Sequence, residues 1–203
     1  MTRILLIRHA STAETGKTLS GRLPGIPLSA KGRKEALAMA DALGTLSIAA
    51  VYSSPIERTV ETATIIAAAA HQLRVKKDKG LLEADYGDWS GKKLAQLRKA
   101  PEWPLIQRAP SHAAFPGGET MRAMQNRIIE AIPRLAAAHA NETIVLVSHA
   151  DPIKSYIAHA LGMHLDQFQR IDIAPASLTR IDMHHGLPRI VSMNVTAESV
   201  AGR

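Results

Sequence analysis

The sequence predicts an α/β protein, a three-layer αβα sandwich with a mainly parallel central sheet. Two short runs, residues 4–7 and 143–147, are apolar throughout and rich in β-branched side chains, which is typical of strands covered on both faces. Helical patterns alternate with strand candidates through most of the chain, and this alternation is typical of parallel sheets. At 203 residues the chain fits one domain over residues 1–203.

The first strand is predicted over residues 4–7 and ends at Arg8 and His9. An Ala-rich helix follows over residues 29–43, because apolar residues recur there at helical spacing and Gly44 is placed to end it. Residues 49–52 form the next strand candidate. The chain therefore starts with a strand, a helix and a second strand.

A second helix is predicted from Pro55 onward. Ser54 suits the N-cap, Pro55 the first helical position and Glu57 the capping box. The apolar residues of this helix recur every three or four positions, at 56, 60, 63, 67 and 70. Arg58 lies on the opposite side of the helical wheel, so we expect it off the core face.

The middle of the chain is predicted to be irregular. Residues 73–76 suit a short strand, residues 81–91 a loop and residues 92–100 a helix. Residues 101–119 contain four prolines and a Gly-Gly pair, so we expect an irregular segment that could form a lid over a pocket.

The C-terminal part returns to regular elements. A helix is predicted over residues 120–138, with Pro133 as a kink, and the strand at 143–147 ends at Ser148 and His149. Asp151 and Pro152 suit the N-cap and first position of a further helix that ends before Gly162. Residues 176–195 predict two strands that turn at His185 and Gly186, and we interpret the His184–His185 pair as part of this turn rather than as a metal site.

Composition excludes several classes of function. The chain has no cysteine, so disulfides, thiolate zinc sites and cysteine nucleophiles are ruled out. The apolar run before Arg8 is only four residues long, too short for a signal peptide, and no apolar run reaches the length of a membrane span, so we expect a cytoplasmic protein without membrane contact. The net charge of +7 fits anionic partners, but dispersed basic residues and few aromatics argue against nucleic acid.

Basic side chains follow three predicted strands, at the points where helices begin. They are Arg8 with His9, then Arg58, then His149. Ligands of open α/β sheets bind outside the carboxyl ends of the strands, so topology brings these side chains to one edge. A cation near a helix N-terminus is unfavourable because it lies at the positive end of the helix dipole. An anion bound at the same place offsets this unfavourable interaction. The sequence therefore predicts a phosphate site at this edge.

The segment from Leu6 to Ala10, together with Thr12, resembles the Arg-His-Gly signature of the histidine phosphatase, or phosphoglycerate mutase-like, superfamily. Further blocks that resemble this family follow in order along residues 4–160. They are Gly21-Arg22 with Pro27-Leu28-Ser29 and Gly32, Ser53-Ser54-Pro55 with Arg58, Glu61, Thr62 and Ala63, Leu82-Glu83 with Gly87, Trp89 and Gly91, Phe115-Pro116-Gly117-Gly118-Glu119, and Val147-Ser148-His149.

The resemblance implies which residues catalyse the reaction and which bind the substrate. His9 is the nucleophile that becomes phosphohistidine, while Arg8, Arg58 and His149 bind the phosphoryl oxygens. Glu83 protonates the leaving oxygen, with Asp85 as the reserve for that role. The substrate-binding positions that the resemblance implies are Thr15, Ser20, Gly21, Tyr86 and Ala150. Arginine side chains can neutralise phosphoryl charge, so we expect neither a metal nor another cofactor.

Departures from the family pattern leave alternatives open. Ala10 stands where the family usually has glycine, and Ala150-Asp151 replaces a Gly-Gly or Gly-Asp pair, so the backbone there must accept a Cβ atom. The stretch between Glu83 and His149 is shorter than in glycolytic mutases, which favours a phosphomonoester hydrolase acting on a small phosphorylated metabolite. A phosphoglycerate mutase-type phosphotransferase and a non-catalytic phospholigand binder remain as alternatives.

Overall fold

The computed structural model describes residues 1–201, and its strands form one mixed sheet. The strands are β1 (Thr2–Arg8), β2 (Ile48–Ser53), β3 (Val75–Lys77), β4 (Thr143–Ser148), β5 (Leu178–His184) and β6 (Leu187–Val195). Their order across the sheet is β3-β2-β4-β1-β5-β6. The strands β3, β2, β4 and β1 are parallel, while β5 and β6 are antiparallel, so the prediction of a mainly parallel sheet is confirmed.

Helices cover both faces of this sheet. The α-helices of the described residues are α1 (Ala30–Leu43), α2 (Glu57–Ala69), α3 (Leu94–Leu97), α4 (Trp103–Arg108), α5 (Met121–Ala137), α6 (Ala150–Ala160) and α7 (Ala197–Ala201). Alternate residues of β1 show the layering, because Leu5 and Ile7 pack with α1 and α2, whereas Ile4 and Leu6 pack with α5 and α6. A strand covered on both faces must be apolar at every position. The three-layer prediction is therefore confirmed.

The N-caps of two helices differ from the predicted ones. Ser29, predicted as the first helical residue, is the N-cap of α1, and its hydroxyl accepts a hydrogen bond from Gly32 N. Helix α2, however, begins at Glu57 with Ile56 as N-cap, and α6 begins at Ala150 with His149 as N-cap. Ser54 and Asp151 have typical capping side chains, but both are hydrogen-bonded elsewhere in the candidate site described below.

The middle segment differs from its prediction in two places. The helix predicted over residues 92–100 is only the four residues of α3, and the segment 101–119 contains α4 and a 3₁₀ turn at Pro110–His112. Packing explains the extra order, because the Trp103 ring stacks on the Trp89 ring with centroids 6.1 Å apart. A sequence pattern reports local preference, whereas this contact joins residues 14 positions apart that lie in two different short helices.

A close approach between α1 and the turn after β1 depends on Gly32. A Cβ atom built at this position would lie 1.9 Å from the carbonyl oxygen of Ser11. The same carbonyl accepts hydrogen bonds from the backbone N and the hydroxyl of Ser29. Glycine is therefore required where α1 supports the turn that carries His9.

Among residues 1–201, no helix has both the length and the apolar character that crossing a membrane requires.

Candidate active site

The candidate site lies where the parallel strands β1 and β4 end side by side. Arg8 and Ser148 are paired in the last register position of these strands, and the backbone N of His9 donates to the Ser148 carbonyl at 2.9 Å. The residues that follow the two strands are His9 and His149. Their rings meet edge to face, with centroids 5.2 Å apart. The sheet register therefore brings together two histidines that are 140 residues apart in the numbering.

His9 is held as a neutral imidazole. Its Nδ1–H donates to the Ala10 carbonyl at 2.8 Å, because a carbonyl can only accept, and its Nε2 accepts a hydrogen bond from Arg58 Nε at 3.2 Å. Burial lowers the pKa of His9 well below its ordinary value, and the charges of Arg58 and Arg8 lower it further. The Nε2 lone pair of His9 is therefore unprotonated near neutral pH.

Arg58 is 2% exposed and connects several parts of the site. Its Nη2 donates to the Gly21 carbonyl at 2.7 Å and to His149 Nδ1 at 3.1 Å. Its Nη1 is buried and has no hydrogen-bond partner among the described residues. The side chain lies off the apolar stripe of α2, as predicted, but it faces the site and not the solvent.

Arg8 also offers a free donor. Its Nη1 donates to the Ile173 carbonyl at 2.6 Å, while its Nε is buried without a partner among the described residues. A buried donor without a partner is costly, so unpaired guanidinium nitrogens beside His9 indicate an anion site.

His149 is fully buried and neutral. Its Nδ1 accepts from Arg58, so its Nε2–H donates to the Ser54 hydroxyl at 2.9 Å. Burial lowers the pKa of His149 well below its ordinary value, and the charge of Arg58 adds to this effect.

Glu83 lies on the same side of the site, with its carboxylate Oε2 3.9 Å from His149 Nδ1. Its Oε1 accepts a hydrogen bond from Ala84 N at 3.0 Å. Burial raises the pKa of Glu83 to about 7, and the negative charge of Asp151 contributes to the rise. A carboxyl group with this pKa can both donate and accept a proton near neutrality.

Two arginines hold the backbone of the Glu83 loop. Arg22 Nε donates to the Glu83 carbonyl at 2.9 Å, and Arg127 Nη1 donates to the Leu82 carbonyl at 2.8 Å. Both guanidinium groups also pair with Glu119 Oε1 at 2.9 Å. The position of Glu83 is therefore fixed from outside the cavity.

A cavity of about 210 Å³ opens above these side chains. Its lining residues are Arg8, His9, Thr12, Glu14, Thr15, Gly16, Thr18, Leu19, Ser20, Gly21, Arg58, Glu83, Tyr86, Leu94, Ala150 and Asp151. Four of the five predicted catalytic residues line it, and the fifth, His149, lies beneath and hydrogen-bonds Arg58. Within residues 1–201, the lining includes none of the segment 101–119, so closure of that segment over the pocket stays a prediction.

The predicted substrate-binding residues all line the cavity, and some of their polar groups already have partners. The Thr15 hydroxyl accepts from Thr12 N at 2.9 Å, and the Gly21 carbonyl accepts from Arg58. The Tyr86 hydroxyl donates to Asp151 Oδ2 at 2.8 Å. Ser20 and Ala150 contribute to the wall.

Sequence reasoning missed Asp151 and Ser54 as site residues. Ser54 lies close to Arg58 in the sequence, and Asp151 lies close to His149. Their side chains also suit helix N-caps, and the local pattern does not distinguish an N-cap from a site residue. Asp85, the reserve acid, does not line the cavity; its side chain is 44% exposed and lies 3.4 Å from Arg22. Within residues 1–201, no three His, Asp or Glu side chains are grouped so that they could hold a metal ion.

Comparisons with known proteins match almost the whole chain. The family model described as histidine phosphatase superfamily (branch 1) matches residues 4–196. Phosphoserine phosphatase 1 of Hydrogenobacter thermophilus is 32% identical over 201 residues, which cover 97% of this chain and 93% of that protein. The solved structure of Bacillus stearothermophilus YhfR has a TM-score of 0.91 at 26% identity, covering 97% of this chain and 98% of that one. A mycobacterial glucosyl-3-phosphoglycerate phosphatase has a TM-score of 0.84 at 27% identity, covering 96% and 99%.

Proposed function

This chain belongs to branch 1 of the histidine phosphatase superfamily, and on that premise we propose that it hydrolyses small phosphomonoesters through a phosphohistidine formed on His9. The observation that carries the proposal is the protonation state of His9, whose neutral ring has its proton on Nδ1 and none on Nε2. Its Nδ1–H is fixed on the Ala10 carbonyl, so Nε2 is the nucleophilic atom, and it faces a cavity lined by Arg8 and Arg58. Two similar proteins named above are themselves phosphatases.

The first half of the reaction transfers the phosphoryl group to the enzyme. His9 Nε2 attacks the phosphorus, the N–P bond forms, and the bond from phosphorus to the alcohol oxygen breaks. Glu83, protonated, gives its proton to that oxygen, so the alcohol leaves neutral and Glu83 becomes a carboxylate. The pKa of Glu83, raised to about 7 by burial and by Asp151, suits this exchange.

The second half returns the phosphoryl group to water. The Glu83 carboxylate takes a proton from a water molecule, the water oxygen attacks the phosphorus, and the N–P bond breaks. Inorganic phosphate leaves, and His9 and Glu83 regain their starting protonation states.

The two arginines stabilise the charge on the phosphoryl oxygens in both halves. Arg58 Nη1 and Arg8 Nε, which are buried without partners among the described residues, become donors to these oxygens. Arg58 Nε moves its hydrogen bond from His9 Nε2 to the phosphoryl group when the ester binds. Phosphoryl transfer depends mainly on positioning and on such charge stabilisation.

Release of phosphate from a panel of phosphomonoesters in the presence of EDTA tests this function. We expect wild type and a His159→Ala control to release phosphate, because His159 is exposed and does not line the cavity. We expect His9→Ala to lose at least about 10³-fold in rate, since it lacks the nucleophile. Release by His9→Ala at the wild-type rate would reject the phosphohistidine, and interconversion of 2- and 3-phosphoglycerate without release would identify a mutase.

A further inference from the structure

A second cavity adjoins the candidate active site. It is a groove of about 430 Å³, and it shares four lining residues with the catalytic cavity: Glu14, Gly16, Thr18 and Leu94. Its other lining residues are Lys17, Lys93, Ala95 and Arg98. A ligand whose phosphoryl group lies at His9 can therefore extend into this groove.

Positive charge predominates along the groove, whose lining contains Lys17, Lys93 and Arg98 against the single carboxylate of Glu14. Lys17, Lys93 and Arg98 are exposed, and within residues 1–201 none of them forms a salt bridge. Within residues 1–201, Glu14 is the only acidic side chain that lines the groove. Unpaired cations around one concave surface raise the local potential and attract anions.

Backbone hydrogen bonds hold the two walls of the groove together. Leu94 N donates to the Lys17 carbonyl at 2.8 Å, and Leu19 N donates to the Lys92 carbonyl at 2.9 Å. Thr18 and Lys93 form an isolated antiparallel bridge between the same segments. The bases of the lysine side chains are therefore held at a fixed spacing beside the catalytic cavity.

We infer that this groove binds a second anionic group, a carboxylate or a phosphate, on the alcohol portion of the substrate. The inference rests on the proposed function, because it places the scissile phosphoryl group at His9. Among the residues that the structure describes, the cations that line the catalytic cavity are Arg8 and Arg58, and both are assigned to that phosphoryl group. A second anion is therefore bound beyond the cavity, where Lys17, Lys93 and Arg98 lie.

Pairs of esters that differ by one anionic group test the inference. O-Phosphoserine differs from phosphoethanolamine only by its carboxylate, and propane-1,3-diol bisphosphate differs from the monophosphate by its second phosphate. We expect wild type to show a higher kcat/KM for the more anionic member of at least one pair. The two pairs distinguish a carboxylate from a phosphate as the second group.

Neutral substitutions in the groove identify the residues responsible. We expect Lys93→Gln and Arg98→Gln each to lower the preference within the favoured pair by about two- to fivefold, because each loses one screened charge interaction. Lys92→Gln and Lys99→Gln are the matched controls, since these exposed neighbours lie outside the groove lining and should keep the wild-type ratio. Thermal unfolding of every variant checks that the fold is retained.

The two hypotheses fail in different ways. If wild type releases phosphate through His9 but shows no preference in either pair, or if the groove variants keep the wild-type ratio, the groove inference is wrong and the proposed function stands. If no ester loses phosphate, the proposed function itself fails.

Discussion

Three buried titratable side chains define the chemistry of the site at the scale of single residues. Burial lowers the pKa values of His9 and His149 and raises that of Glu83. Charge adds to burial, because arginines disfavour a protonated histidine and Asp151 disfavours an ionised Glu83. The result is a neutral imidazole at His9 beside a carboxyl group whose pKa lies at about 7.

Replacing Asp151 tests how the charge around Glu83 sets its pKa. We expect Asp151→Asn to lower the pKa of Glu83, because a negative neighbour is removed while an oxygen remains to accept from the Tyr86 hydroxyl. Glu83 must be protonated for transfer to His9, so kcat/KM falls as pH rises through this pKa. The descending limb of the kcat/KM profile should therefore move to lower pH. Each unit by which the pKa of Glu83 falls reduces its protonated fraction at pH 8 by about tenfold.

The pH profile of kcat/KM between pH 5 and 9 measures this change. Asp88→Asn, in an exposed position outside the cavity, is the control and should keep the wild-type profile. Identical profiles for Asp151→Asn and wild type would contradict the role given to Asp151.

At the scale of elements, helix α5 determines where the Glu83 loop lies. Arg127 of this helix donates through Nη1 to the carbonyls of Gly80 and Leu82, and its Nη2 pairs with Glu119. These bonds satisfy loop carbonyls that lack strand partners, and they tie the loop to a long helix packed on the sheet. Arg127 is thus a positioning residue for the proposed acid.

The change Arg127→Met tests this arrangement. We expect kcat for alkyl phosphates to fall by about 10- to 100-fold with little change in KM, because a misplaced Glu83 fails to protonate the leaving oxygen. p-Nitrophenyl phosphate, whose leaving group needs little protonation, should be affected far less. A role limited to stability would lower both rates together.

Arg134→Met provides the comparison on the same helix. Arg134 pairs with Asp78 at 2.7 Å and is 59% exposed, so its loss should leave both rates within about twofold of wild type. Equal effects of Arg127→Met on the two substrates would refute the positioning role.

At the scale of the whole molecule, the same buried groups connect folding to pH. Below about pH 6.5 the unfolded chain protonates both His9 and His149, while the folded protein keeps them neutral, so stability falls as pH decreases. Glu83 acts in the opposite sense. Between about pH 7 and pH 4.5 it holds a proton in the folded state that it lacks in the unfolded state, so its contribution rises as pH decreases.

Replacing Glu83 should change how the free energy of unfolding depends on pH. We expect Glu83→Gln to lose stability more steeply than wild type between pH 6.5 and pH 5, by roughly 1.4 kcal/mol for each pH unit. Urea unfolding at several pH values measures it, in buffers without phosphate because a bound anion would stabilise the folded state. Glu102→Gln, at an exposed position, should keep the wild-type slope, and the same slope for Glu83→Gln would contradict the expectation.

Sequence patterns are sufficient to predict the layered fold and the location of the site. Apolar runs such as residues 4–7 are continuous because both faces of a central strand are covered, so their pattern alone indicates a parallel sheet. Topology then places Arg8, His9 and His149 at one edge, since parallel strands end on the same side. The family blocks assign Glu83 to the same site, although nothing in its local pattern distinguishes it from a surface glutamate.

The hydrogen-bond and charge partners of these side chains follow from the folded arrangement of the chain and not from local sequence. Ser54 and Asp151 suit helix caps locally, yet Ser54 orients His149 and Asp151 faces Glu83, because the ends of β2 and β4 and the Glu83 loop come together in space. The protonation states of His9 and Glu83 likewise depend on burial and on charges from distant segments. Local pattern reports what a segment prefers, whereas desolvation and charge pairing depend on neighbours that only the folded chain supplies.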